Sequence, residues 1–376
     1  MMKREKGFTL IELLIVMGIM GLVLAASSDT FVGLLRQYKQ QGKMAESNIE
    51  GIIGLELLRQ DIETAGYGLP WVIPSGVTYN EAASAGHNDS PPDPPRPIMS
   101  DKNYTNPFTI STTNGDNYPD LLVIKATNVT RNATSQRWTY LQTNAPQVKT
   151  WYLSSGNPAP ENPANTDYVI VLSPGSSDAD IRTLVQVGST WNPIFSNANI
   201  ASFSPGAQDP QPRFVYGISD IPPRMPFNRA DYYISKTVVD VPQRCAPNTG
   251  VLVKSTISQS DGSRSDNLPL LDCAADMKVI FRLDTNGDGI IDWNTDVLND
   301  HILGTQLTAQ QIRAQVKEVR VYILAHEGQK DTNYVHPQST IAVGEFGLQH
   351  NFNIGTYVNY RWKVYTIVVE PKNMRQ

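Results

Sequence analysis

The chain has 376 residues, enough for two or three domain-sized units, and its 40% hydrophobic content supplies a sizeable core, which excludes disorder throughout. Charged residues make up 18%, below the roughly 25% of an average soluble domain, so Ser, Thr, Asn and Gln must carry much of the surface. A formal charge of -5, from 31 basic and 36 acidic side chains, argues against the broad positive face that nucleic acid requires. Two cysteines are too few for a disulfide-dense scaffold or a four-cysteine zinc site.

The chain opens MMKREKG, with Lys3, Arg4 and Lys6 against Glu5. An apolar run of 19 residues follows from Phe8 to Ala26, and its only charge is Glu12. At 1.5 Å per residue such a run spans about 28 Å, close to the ~30 Å hydrocarbon core of a bilayer. One transmembrane helix over 8–27 is therefore predicted, with the basic cluster on the cytoplasmic side and the rest of the chain across the membrane. A secretory signal peptide cut near Ala26 shares these ingredients. Against it, a carboxylate such as Glu12 costs about 2.5–3.5 kcal/mol at mid-membrane, and Leu24 stands where a small residue is needed three before the cut.

The segment Gly7, Phe8, Thr9, Leu10, Ile11, Glu12 (GFTLIE) resembles the cleavage signal of type IV pilins and pseudopilins. The resemblance implies that residues 1–7 are a leader, that a prepilin peptidase cuts after Gly7, and that the same enzyme methylates the new N-terminal Phe8. It also implies an inner-membrane subunit whose exposed part ends in a pilus or at the cell surface. Its expected partners are other major and minor pilins, met through the N-terminal helix, and a tip adhesin. Glu12 then acquires a physical role in assembly, because a neighbouring subunit's free amine can pair with it in the low-dielectric helix bundle.

No proline occurs between the apolar run and Pro70, and Ile49, Ile52, Ile53, Leu57, Ile62 and Ala65 recur at helical steps, so the helix is predicted to continue to residue 65. Gly66, Gly68 and Pro70 mark its end. Glycines at 18, 21, 33, 42, 51 and 54 lower helix propensity, or mark close packing against a neighbour or the head.

Residues 66–376 are expected to form a β-rich head, giving an α+β fold in which mostly antiparallel strands cover the C-terminal half of the long helix. His87 to Ile98, HNDSPPDPPRPI, reads as a surface loop of polyproline character. Strands are predicted at Leu121 to Lys125, Tyr168 to Leu172, Phe214 to Ile218, Tyr232 to Ile234, Met277 to Leu283, Val319 to Leu324 and Tyr357 to Val369. A short helix is predicted at Thr308 to Gln315, with Thr308 and Gln311 spaced for a capping box. The segments IETAGYGLPW, RMPFNRADYYIS and YRWKVYTIVVEPKN narrow the resemblance to the PilW family of minor pilins, with the J-type pseudopilin of type II secretion as the competing assignment.

Cys245 and Cys273 are expected to bridge in an oxidising compartment, the alternative being two buried thiols. Asp284, Asn286, Asp288, Gly289 and Asp292, with the Ile290 carbonyl, match a calcium loop of alternating hard oxygen ligands around a sharp turn. Thr295 stands where the bidentate glutamate belongs, which predicts a shortened loop completed by Asp296 or a backbone carbonyl. The same residues also suit a plain turn. No catalytic motif is present: His326 begins HEGQK, with Lys330 where a second zinc-binding histidine would stand. A structural, non-enzymatic role follows, either filament assembly or calcium-dependent adhesion.

Overall fold

The computed structural model describes residues 9–83, 87–102, 118–142, 162–175, 182–209, 211–299 and 301–374. The chain divides into two compact units, residues 1–49 and 50–376. Helix α1 covers Leu10–Glu63. In the first unit its apolar side chains, Leu10, Ile11, Leu14 and Phe31 among them, are exposed.

In the second unit the last turns of α1 bury Leu55, Leu58 and Ile62, with Ala65 just beyond, a three- and four-residue stripe that joins the main core. Of the apolar residues that marked the helix in the sequence, Ile62 and Ala65 are in this stripe, while Ile52 and Ile53 point to solvent. Gly51 and Gly54 lie on the packed side instead. A β-carbon at Gly54 would stand 2.0 Å from the Leu270 carbonyl oxygen, and one at Gly51 would stand 2.7 Å from the Leu271 side chain. The helix approaches the sheet too closely for a side chain at Gly54, which is the close packing against the head that these glycines allowed in the sequence. Gly54→Ala should destabilise the fold by about 1–3 kcal/mol in chemical denaturation, although alanine is the better helix former. Gly66 and Gly68 follow the helix at φ 84° and 65°, the left-handed geometry predicted for its end.

The strands are β1 Ile98–Lys102, β2 Asp120–Ala126, β3 Trp138–Leu141, β4 Tyr168–Ser173, β5 Thr183–Leu184, β6 Arg213–Ser219 and β7 Asn228–Ser235. They continue with β8 Gly250–Ile257, β9 Arg264–Leu283, β10 Trp293–Thr295, β11 Val316–Glu327, β12 Thr340–Val343, β13 His350–Asn353 and β14 Arg361–Val369. An eight-stranded sheet has the order β1-β2-β7-β8-β9-β11-β14 with β10 beside β9, and every named pairing within it is antiparallel. A four-stranded sheet, β3-β6-β4-β5, and the β12-β13 hairpin complete the β structure. The fold is thus α+β, with α1 residues from Leu55 on sharing one core with the large sheet. Two short helices, α2 Asn197–Ile200 and α3 Ala309–Gln315, lie in connections, and α3 carries the predicted Thr308–Gln311 capping box.

Strand β8 was not foreseen. Its sequence, GVLVKSTI, carries Lys254 at the centre of a fully buried strand, where a lysine argues against interior β structure. The proline-rich segment 87–98 also departs from expectation: Arg96 is only 9% exposed and Pro95 to Ile98 are buried, so one end of that segment is built into the head.

Candidate functional site

The first turn of α1 holds the one charge in the apolar run. Thr9 donates its backbone N–H and its hydroxyl to Glu12 Oε2, each at 2.9 Å, and the Glu12 N–H reaches back to Thr9 Oγ1 at 3.4 Å. This is a capping box, in which the carboxylate satisfies a helix-terminal donor and the hydroxyl a second one. The Thr-x-x-Glu spacing inside GFTLIE could have shown it, since it is the same signal that placed α3. The stretch Leu10–Val32 is long and apolar enough to cross a membrane. Gly7 and Phe8, the residues of the expected cleavage, lie outside the described residues.

Cys245 and Cys273 form a disulfide. Their sulfurs and a ring nitrogen of His326 lie within 4.8 Å of one another, but bonded sulfurs offer no thiolate, so the cluster is not a metal centre. With a sequence separation of 28, the bridge constrains the unfolded chain by about 3–4 kcal/mol on the loop-entropy model. The Cys245→Ser/Cys273→Ser chain should lose that much stability in urea unfolding.

His326 Nε2 accepts the Ala246 N–H at 2.8 Å. Burial pushes the imidazole down to about 4, with Arg244 adding to the shift. The unfolded chain therefore binds one more proton between pH 6.5 and 4, and this residue's contribution to stability falls as pH falls through that window, by up to about 3 kcal/mol. Asp120 works in the opposite direction. Burial raises it to about 7 against the pull of Lys278 at 3.6 Å and of the Val279 N–H, so its contribution falls as pH rises toward 7. Melting curves of wild type and His326→Gln at successive pH values separate the two: the variant should lose less stability on acidification.

In the 284–292 loop, Asp284 accepts the Gly287 and Gly289 N–H groups at 2.7 and 2.9 Å. Asn286 accepts the Asp288 N–H, and Asp288 accepts the Ile290 N–H. Burial opposes ionisation of Asp284, but these donors and Lys317 at 3.5 Å outweigh it and hold the carboxyl below its ordinary range. Asp292 binds the N–H and hydroxyl of Thr285 instead. Among the described residues, the carboxylates of Asp284, Asp288 and Asp292 do not converge as a set within 4.8 Å, so calcium binding here would need the loop to close. Asp296, expected as a completing ligand, is instead 2.6 Å from Lys278 Nζ, because β10 pairs with β9 and carries it beside that strand.

Two buried charge networks escaped the sequence reading. Asp61, 2% exposed on α1, meets Lys254 Nζ at 2.5 Å and Arg131 at 2.7 Å, and accepts the Tyr232 hydroxyl. In the second, Arg229 joins Asp231 at 2.7 Å and Glu81 at 3.1 Å. Lys125 joins Glu81 at 2.7 Å and Asp89 at 2.5 Å, and Asp89 also holds Arg96. Aspartates and arginines on strands and helix ends look like surface residues in sequence, so periodicity gave no sign of either network.

Residues 2–28 match the prokaryotic N-terminal methylation motif. The match supports a type IV pilin-like prepilin that is anchored in a membrane and meets other pilus components, and it covers the GFTLIE segment and the whole apolar run from Phe8 to Ala26. No curated protein and no solved structure matches the chain significantly.

Proposed function

We propose that the chain is a minor pilin, a structural subunit that helps assemble or initiate a type IV pilus and whose head stands at or near the tip. Glu12 carries the reading: it lies within the methylation motif, at the start of an apolar span, with Thr9 as its local partner. On this reading the peptidase cuts between Gly7 and Phe8 and methylates Phe8, the helix stays in the inner membrane, and the head enters the periplasm before reaching the pilus. While the subunit is alone, Thr9 compensates the carboxylate. In the filament a neighbour's amine is the stronger partner, because an ion pair gains in a medium of low dielectric.

Glu12→Leu should therefore insert in the membrane normally yet appear in sheared filaments at a small fraction of the wild-type level, read by immunoblot of both fractions. Equal incorporation would remove the role given to Glu12. Calcium is proposed as a ligand of the 284–292 loop, held by Asp284, Asn286, Asp288, Asp292 and the Ile290 carbonyl, and no step of assembly is routed through it.

A further inference from the structure

Trp71, just past the end of α1, has two guanidiniums packed against its indole. The guanidinium carbon of Arg182 lies 4.8 Å from its ring centroid and that of Arg313, on α3, lies 4.5 Å away. Cation–π contact with one arginine is common, but two like charges on one indole repel each other. Elsewhere in this head the deeply buried arginine Arg229 has carboxylate partners. These two have none among the described residues. Arg182 donates from Nη1 to the Gly66 carbonyl at 3.0 Å, its one hydrogen bond to an acceptor among the described residues, and that acceptor carries no charge. Among the described residues Arg313, 4% exposed, has no hydrogen-bond acceptor, and its Nε is buried and unpartnered. The Trp71 Nε1–H is likewise buried without an acceptor.

Unpaired buried donors are costly, and a buried cation without a counter-ion costs more. Both arginines are held below the ordinary guanidinium range, Arg313 to about 10, by burial first and, for Arg313, by repulsion from Arg182. What the cluster lacks is an acceptor that carries negative charge. Arg313 also lines a cleft of about 490 Å³ together with Lys317, so an anion has a route to it. Two carboxylates, Glu318 and Glu370, share that wall, and Glu318 is already held by Arg282 at 3.0 Å and Arg320 at 2.6 Å.

We propose that Trp71, Arg182 and Arg313 form an oxyanion-binding site, in which the paired guanidiniums and the indole N–H receive a phosphate or a carboxylate. Guanidinium forks match both geometries. The site is independent of pilus assembly, since it rests on the head's own residues.

The test uses the full chain in detergent, with EDTA present, and sodium phosphate or sodium acetate compared with sodium chloride at equal ionic strength. The expected result is a saturable rise in melting temperature of roughly 2–4 °C at tenfold excess over Kd. It should be accompanied by a shift of the Trp71 indole N–H resonance, assigned with Trp71→Phe. A rise with phosphate alone identifies a phosphoryl ligand; an equal rise with acetate identifies a carboxylate. Arg313→Gln should abolish either response, and should itself fold, because it removes an uncompensated charge. The proposal is overturned if neither anion outperforms chloride in the wild-type chain, or if the Trp71 resonance stays in place at saturating phosphate. It is equally overturned if Arg313→Gln responds as the wild type does.

Discussion

Asp61→Leu should cost the head about 3–5 kcal/mol, measured by urea unfolding, because it strands Lys254 inside strand β8. Lys254 is buried at 3% exposure, and its remaining partner would be the Val129 carbonyl at 2.7 Å. Burial already lowers its affinity for a proton, and Asp61 is the first group that opposes this. Once Asp61 is gone, the ammonium must lose its proton or pull water into the core. The second substitution separates pairing from packing. Lys254→Met added to Asp61→Leu replaces an ion pair by apolar contacts, and the double variant should recover most of the lost stability. If it remains as unstable as Asp61→Leu, the defect lies in helix packing and the ion pair is incidental.

Arg229→Met should have an effect of similar size, about 3–5 kcal/mol, for a different reason. Its guanidinium is fully buried and joins two elements far apart in sequence: Asp231 within β7, and Glu81, 148 residues earlier. Arg229 also donates to the Asn88 side chain at 2.9 Å, which ties the proline-rich segment to the sheet. Removing it leaves Glu81 with Lys125 and the Asp89 N–H, and Asp231 with Arg264 at 2.9 Å. The loss should therefore be both global and local. Amide exchange in residues 87–98 should rise well above the increase in β9, whereas an equal rise in both would show that the network does not clamp the segment.

These two networks mark where sequence reasoning stopped. The apolar run and the place of Glu12 in it were legible because a membrane leaves a one-dimensional imprint: a run of fixed length that tolerates no charge without a purpose. The α3 capping box and the Cys245–Cys273 bridge were legible for a similar reason, since both depend on local spacing or on the small number of cysteines. The predicted β-branched runs fall in strands except for Tyr357 to Tyr360, which precede β14 in a turn, and β9 extends over Arg264–Leu283, well before the predicted start at Met277, because its first half is polar and contains Pro269. Periodicity assumes that charge means surface. Lys254, Asp61, Arg229 and Lys125 break that assumption, and pairings such as Lys125 with Glu81 across 44 residues and Lys254 with Asp61 across 193 leave no local trace.

Along α1 the sequence was legible only in part. A close approach of α1 to β9 is written in the absence of side chains at Gly51 and Gly54, while the isoleucines beside them face outward. In the 284–292 loop, the spacing of Asp284, Asn286 and Asp288 foretold the curl of the backbone, since each folds back on an N–H further along. It did not foretell that Asp296 would be carried to Lys278 by a strand pairing.

The central claim is that residues 1–7 are a leader and Glu12 an assembly residue. Mass spectrometry of the N-terminal peptide of the chain isolated from cells tests it most directly. The expected result is a peptide that begins at Phe8 and carries one methyl group on its amine. An N-terminus retained at Met1, a start near Ser27, or an unmethylated Phe8 would contradict the account.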